Sequence, residues 1–296
     1  MNLAQWFFIT VTAILVLLIG FFFSSYWPLP MASARDAVGE ARVTDRDGRL
    51  IEYYVSGTGA PVMLIASVGR EASDFNELVM ALNEAGYRTL AVEAPGIGRS
   101  ALPAEPITLW DLADDVAAIA FVEATGPVFV IGHAFGNRVA RAFATRHGAR
   151  GVVTLAAGGK VPIADDAKDA LLTCFKPWVA TKARREAVRT GFFAEGNAIP
   201  DHWMRGWHGD TLQVQAAATQ AVPADHWWGA GDAPLLVVQA GQDTIAPKAH
   251  TADLLVEEFG GRVTVVDIDQ AGHALLPEQP GLIAQAVTRF LDTHRP

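Results

Sequence analysis

The sequence predicts an α/β protein: a mostly parallel, doubly wound sheet interrupted by an inserted helical cap and preceded by an N-terminal transmembrane helix. Three observations carry this. Short β-branched runs alternate with helical patterns from residue 60 onward, the order that builds right-handed βαβ crossovers. That alternation stops between residues 160 and 232. An uncharged apolar run fills residues 6–23, long enough at about 1.5 Å per residue to span most of a bilayer's hydrocarbon layer.

Taken in order, residues 1–34 read as membrane anchor and linker. Tyr26 and Trp27 suit the membrane interface, and Arg35, Arg42, Arg46 and Arg49 follow the span while no Lys or Arg precedes it. That asymmetry places the globular part on the cytoplasmic side. The alternative is a signal peptide cut at Ala32-Ser33-Ala34, which would leave a secreted or periplasmic protein. Residues 35–159 form the first part of the core: a hairpin turning at Asp47-Gly48, then strands at 62–65, 89–92, 128–131 and 152–155. Helices are expected at 75–85, 109–124 and 135–147. Residues 160–232 form the cap, with helices at 165–173, 180–190 and 211–220. Residues 233–296 complete the core with strands at 235–238 and 263–266 and helices at 249–259 and 281–293, the last burying Leu282, Ile283, Val287, Phe290 and Leu291.

A net charge of -9 argues against nucleic acid as a partner. The single cysteine, Cys174, excludes an intramolecular disulfide and reads as a buried thiol in the cap. No Cys/His cluster has metal-ligand spacing and no glycine-rich loop matches a phosphate- or dinucleotide-binding fingerprint, so no cofactor and no metal is implied.

The chemistry-bearing stretch is Val-Phe-Val-Ile-Gly-His-Ala-Phe-Gly at 128–136, an apolar strand running into a glycine-flanked turn and a helix. Gly132 and Gly136 make room for a sharp turn that lifts the side chain of residue 134. Pro95-Gly96-Ile97-Gly98-Arg99-Ser100 closes an earlier strand. Gly241-Gln242-Asp243 with Pro247, and Gly272-His273 with Glu278 and Pro280, follow the last two. In this order the pieces resemble the α/β-hydrolase family over roughly residues 41–296. The resemblance implies that Asp243 orients His273, that His273 is general base toward position 134, and that backbone N–H groups of Val68 and Phe135 form an oxyanion hole. The family's nucleophile is a serine; here the position holds Ala134.

Three accounts of Ala134 stay open: an engineered serine-to-alanine replacement, a natural branch doing chemistry on the His–Asp pair without a covalent intermediate, and a pseudoenzyme that keeps the pocket for binding. The resemblance implies hydrolysis of an ester- or amide-like bond. A lyase- or cofactor-free-oxygenase-type proton transfer is the alternative enzyme. Five of the eight tryptophans fall in the cap, among them Trp178, Trp203 and Trp207, so a small, largely apolar substrate is expected, bound by these with Ser67 and His133. Ser67 is otherwise a loop-capping serine, and Glu93 is expected to bond backbone N–H groups in the turn after its strand. Lys182, Arg184, Arg185 and Arg189 read as a solvated cap-helix face, or one that meets anionic lipid.

Overall fold

In the computed structural model, which describes residues 2–26, 31, 35–124 and 126–295, eight strands form one sheet in the order β1-β2-β4-β3-β5-β6-β7-β8. β1 (Glu40–Arg46) and β2 (Arg49–Ser56) make the opening hairpin. Asp47 and Gly48 between them have φ of 56° and 84°, the two positive values that a two-residue turn matched to strand twist requires. β2 joins β4 (Tyr87–Val92) antiparallel; β3 (Ala60–Ile65), β5 (Phe129–His133), β6 (Gly151–Leu155), β7 (Leu235–Ala240) and β8 (Val263–Ile268) continue parallel. β5, β6 and β7 are buried at every residue, which is why their sequences are apolar but for His133, Thr154 and Gln239.

The helices are α1 (Leu3–Tyr26), α2 (Asn76–Glu84), α3 (Leu109–Glu123), α4 (Gly136–His147), α5 (Asp165–Cys174), α6 (Thr181–Phe192), α7 (Gly209–Gln220), α8 (Ala252–Phe259), α9 (Leu275–Glu278) and α10 (Pro280–Thr293). α3, α4 and α8 cover one face of the sheet; α2, α9 and α10 cover the other. α10 buries Ile283, Val287, Phe290 and Leu291, while Leu282 stays half exposed beside them. α5, α6 and α7 form the inserted cap, whose own core joins Cys174, Phe175, Phe192, Trp203 and Trp207.

α1 is fully exposed and uncharged over Gln5–Phe22, with a mean hydropathy of 2.2. It approaches α6 of the cap. Met31 packs on the cap core, and its carbonyl accepts the Gly206 N–H at 3.1 Å. Trp27 and the Ala32-Ser33-Ala34 site lie outside the described residues. Arg35 then ties the chain to the core through Glu77 at 2.6 Å.

Because strand order reverses at β3, the connections after β3 and β5 diverge, and the sheet opens a crevice at its carboxyl edge. The loops after β3, β5, β7 and β8 meet there, under the cap.

Candidate active site

The turn after β5 holds Ala134 at φ 48°, a left-handed conformation costing a non-glycine residue on the order of 1 kcal/mol or more. Two close approaches enforce it. A Cβ on Gly132 would lie 2.3 Å from the Gly136 carbonyl oxygen, and one on Gly136 would lie 2.1 Å from that of Ile65. Only glycines let β5, α4 and the loop after β3 pack this closely. Asn137 donates from its amide to the Ala134 carbonyl and accepts from Arg141. Arg141 is fully buried, stacks on Trp227 and Trp228 and donates to the Gly158 carbonyl at 2.9 Å. The elbow is therefore braced from α4 and from the loop after β6 together.

Asp243 follows β7. Its Oδ1 accepts the backbone N–H groups of Ile245 and Ala246 at 2.9 and 2.8 Å, and His273 Nδ1 donates to its two oxygens at 3.0 and 2.9 Å. Burial opposes ionisation of Asp243, but the imidazole's charge and these hydrogen bonds outweigh it and hold the carboxyl below its ordinary range. With Nδ1 so engaged, His273 turns its other edge into the cavity.

The loop carrying His273 is fixed from two sides. Glu278 accepts the N–H of Gly272 at 2.7 Å and that of Ala194, at the end of the cap segment after α6, also at 2.7 Å. From behind, His133 Nε2–H donates to the His273 carbonyl at 2.8 Å. A carbonyl can only accept, so this bond sets the His133 tautomer. Burial pushes the His133 imidazole down to about 4, with the neighbouring His273 acting the same way, so the ring stays neutral.

Ala134, His273, Val68, Phe135 and Ser67 all line one cavity of about 260 Å³. Among the described residues, neither the Val68 nor the Phe135 backbone N–H has a hydrogen-bond partner, and the Ser67 hydroxyl has none either. The rest of the wall is largely apolar and includes Ile163, Leu171, Phe192 and Ile245.

Four expected substrate contacts are placed elsewhere. His133 lies beneath His273 and does not reach the cavity. Trp203 and Trp207 are buried in the cap, where both stack at 4.6 Å on the guanidinium of Arg70. Arg70 is in turn paired through two nitrogens with buried Asp74, so these rings join cap to core and have no face left for a ligand. Trp178 is on the outer surface, 73% exposed. Arg184 leaves the solvated face assigned to it: it is buried, donating to the Lys176 carbonyl at 3.0 Å. Cys174 is buried as expected, its thiol pushed up to about 12 by burial. Glu93 accepts the Ala72 N–H at 3.1 Å, bracing the loop after β3 and not the turn after its own strand.

Sequence reasoning missed Phe192, the brace from Asn137 and Arg141, and Arg138. For Arg138 a signal existed: it stands four residues after Ala134, one helical turn along.

A strand–turn–helix elbow and a buried acid–histidine pair at the carboxyl edge of this sheet define an α/β-hydrolase fold. A model of the alpha/beta hydrolase family matches residues 54–286, and the chain belongs to that family. It is 28% identical over 270 residues, 81% of this chain and 96% of the relative, to a Variovorax paradoxus (strain S110) protein provisionally named carbamate hydrolase RutD. It is 25% identical over 236 residues, 72% and 86% of the two chains, to the non-heme haloperoxidase of Rhodococcus erythropolis. Among solved structures, a membrane phospholipase A described as a bacterial virulence factor superposes with a TM-score of 0.71. That match covers 98% of this chain and 99% of the other at 17% identity, a likeness of fold alone.

Proposed function

We propose that this hydrolase-family protein cleaves an ester- or amide-like bond in a small, largely apolar substrate, with His273 and water in place of a covalent nucleophile. The observation that carries this reading is the His273–Asp243 pair, held at 2.9 Å on the wall of a cavity that Ala134 and two unpartnered backbone donors share. A methyl group cannot attack a carbonyl. His273 would take a proton from water as the resulting hydroxide adds to the carbonyl carbon. The Val68 and Phe135 N–H groups would hold the oxyanion, and the proton would pass to the departing alkoxide or amine. The names of the two sequence relatives support hydrolase-type chemistry without selecting the bond.

Loss of a serine nucleophile costs on the order of 10⁶ in turnover, so activated esters are the appropriate substrates. Wild type should hydrolyse p-nitrophenyl butyrate slowly but above the buffer rate, and His273→Ala should lose that activity. A wild-type rate equal to buffer, or one that survives His273→Ala, ends the hydrolytic reading.

The Ala134 methyl also favours a second reading. With no hydroxyl beside it, the imidazole is free to abstract a proton from a bound ligand, as a lyase- or cofactor-free-oxygenase-type reaction needs. A pseudoenzyme would show neither activity and bind ligand only.

We further propose that α1 anchors the protein in a bilayer, with the globular part on the cytoplasmic side. The packing of Met31 on the cap supports retention of the segment that signal cleavage at residue 34 would remove. Full-length protein should stay with membranes through a high-pH wash. Recovery of mature protein beginning at Arg35 would establish the signal-peptide alternative.

A further inference from the structure

Among the buried arginines, Arg70 is paired with Asp74, while Arg141 and Arg184 are bonded to backbone carbonyls. Arg138 differs. It lines the cavity beside Ala134 and His273, and among the described residues its guanidinium has no hydrogen-bond or ion-pair partner. No carboxylate is among the residues lining that cavity. Leaving a guanidinium partly dehydrated and unpaired is costly. Its surroundings add to the charge: Arg141 follows on the same helix, and the N-terminus of the twelve-residue α4 opens at the elbow. The same wall offers Thr219 and Gln220 from α7, neutral groups that can share a polar ligand but cannot neutralise a cation.

We propose that Arg138 is a specificity-determining residue that binds an oxyanion, carboxylate or phosphate, carried by the substrate, so that the site selects apolar molecules bearing one negative group. The inference rests on the cavity being the substrate site, as in the proposed function. The scissile bond would lie between Ala134 and His273, the apolar body against Leu171, Phe192 and Ile245, and the anion on the guanidinium. A fork of N–H donors matches two oxygens of either anion.

Binding to the full chain in phosphatidylcholine nanodiscs, followed by calorimetry, tests this without turnover, so failure of the hydrolytic reading leaves the result intact. The probes are 4-phenylbutyrate, its uncharged isostere 4-phenylbutyramide, and 2-phenylethyl phosphate. Wild type should bind the carboxylate at least about tenfold more tightly than the amide, the worth of a charge-assisted hydrogen bond. The ranking of phosphate against carboxylate tells which anion the substrate carries. Arg138→Met should bring the anions down to the affinity of the amide while leaving the amide unchanged, and Arg138→Lys should recover part of the preference. Equal binding of the carboxylate and amide by wild type overturns the proposal and needs no variant. A preference that survives in Arg138→Met overturns it as well, because the anion then sits on the oxyanion donors and His273.

Discussion

The two walls of the cavity are built on different physics. On the core side, every element is held by hydrogen bonds to backbone groups: Asp243 by two N–H groups of its own loop, the His273 loop by His133 and Glu278, and the elbow by Asn137. The cap packs around its own apolar side chains and meets the core at a seam made of the Arg70 stack between Trp203 and Trp207 and of hydrogen bonds, among them Gly69 N–H to Gln215 at 2.8 Å, Thr211 to the Pro95 carbonyl at 2.8 Å and His208 with Glu71 at 2.6 Å. The core wall is thus fixed to within a hydrogen-bond length, whereas the side chains that the cap turns into the cavity, Ile163, Leu171 and Phe192, are set by packing. A single atom changed on the core side should alter chemistry. Whole rings must be removed from the cap side before anything measurable happens, and which ring matters depends on where it points.

The largest effect should come from one atom on the core wall. Ala134→Ser adds a hydroxyl at the tip of a turn whose backbone already has φ 48°, so the fold should be unaffected. Beside His273 that hydroxyl should become an activated nucleophile. Fluorophosphonate labelling should appear at position 134, absent from wild type, and p-nitrophenyl butyrate hydrolysis should rise by about 10³-fold or more. A normally folded but inert serine variant would show that the core wall has diverged beyond one residue.

Next in size is the close packing behind that tip. Gly136→Ala places a methyl 2.1 Å from the Ile65 carbonyl, in backbone that cannot step aside. Destabilisation of about 3 kcal/mol or more is expected, read as a drop in denaturation midpoint. On the cap wall, Trp203→Ala removes a buried ring and one face of the Arg70 stack and should cost about 3–5 kcal/mol. Trp178→Ala, from the exposed surface of the same cap, should stay within about 0.5 kcal/mol. Equal losses for the two tryptophans would mean that the cap is not joined to the core through Arg70.

What the sequence could reveal follows the same division. The elbow, the acid loop and the histidine loop are legible because each is a local backbone demand. Gly132 and Gly136 are required by contacts within five residues or across one strand, Asp243 bonds N–H groups close by in the chain, and so does Glu278 at Gly272, although nothing local reveals its second bond to Ala194. The sheet is legible because β5, β6 and β7, buried on both faces, are apolar but for His133, Thr154 and Gln239. The cap is not. Trp178, Trp203 and Trp207 look alike as a sequence, but only tertiary packing decides that two of them clasp Arg70, 133 or more positions back, and that the third faces solvent. Arg184 reads as a surface cation on helix periodicity, and no local rule reveals that the carbonyls of Lys176 and Met204 take it inside. Arg138 is intermediate, since its spacing from Ala134 points it at the site but nothing local shows that it lacks a partner.

A pH dependence probes the seam between the walls. Glu93 closes β4, and its Oε2 accepts the Ala72 N–H, on the loop that carries Arg70 toward the cap. Burial pushes its carboxyl up to about 8, partly opposed by that hydrogen bond and reinforced by Glu71 and Glu52 nearby. A carboxyl raised in the folded state favours folding only while protonated. Its contribution is full below the unfolded value near 4.5, is lost progressively as pH rises, and is gone once pH passes about 8. Over that window the folded state holds the extra proton, so stability should fall by up to about 1.4 kcal/mol per pH unit from this group. Glu93→Gln keeps an acceptor for Ala72 but cannot ionise, so thermal unfolding from pH 5 to 9 should show a flatter alkaline limb than wild type. His133 is depressed to about 4, so its contribution is lost as pH falls from about 6.5 toward 4; between about 4.5 and 6.5 the two groups oppose each other in wild type, and Glu93→Gln should uncover a rise of stability with pH there. If the alkaline slopes of the two proteins coincide, Glu93 is already ionised at neutral pH, and the loop between core and cap is held by charge as well as by the Arg70 stack.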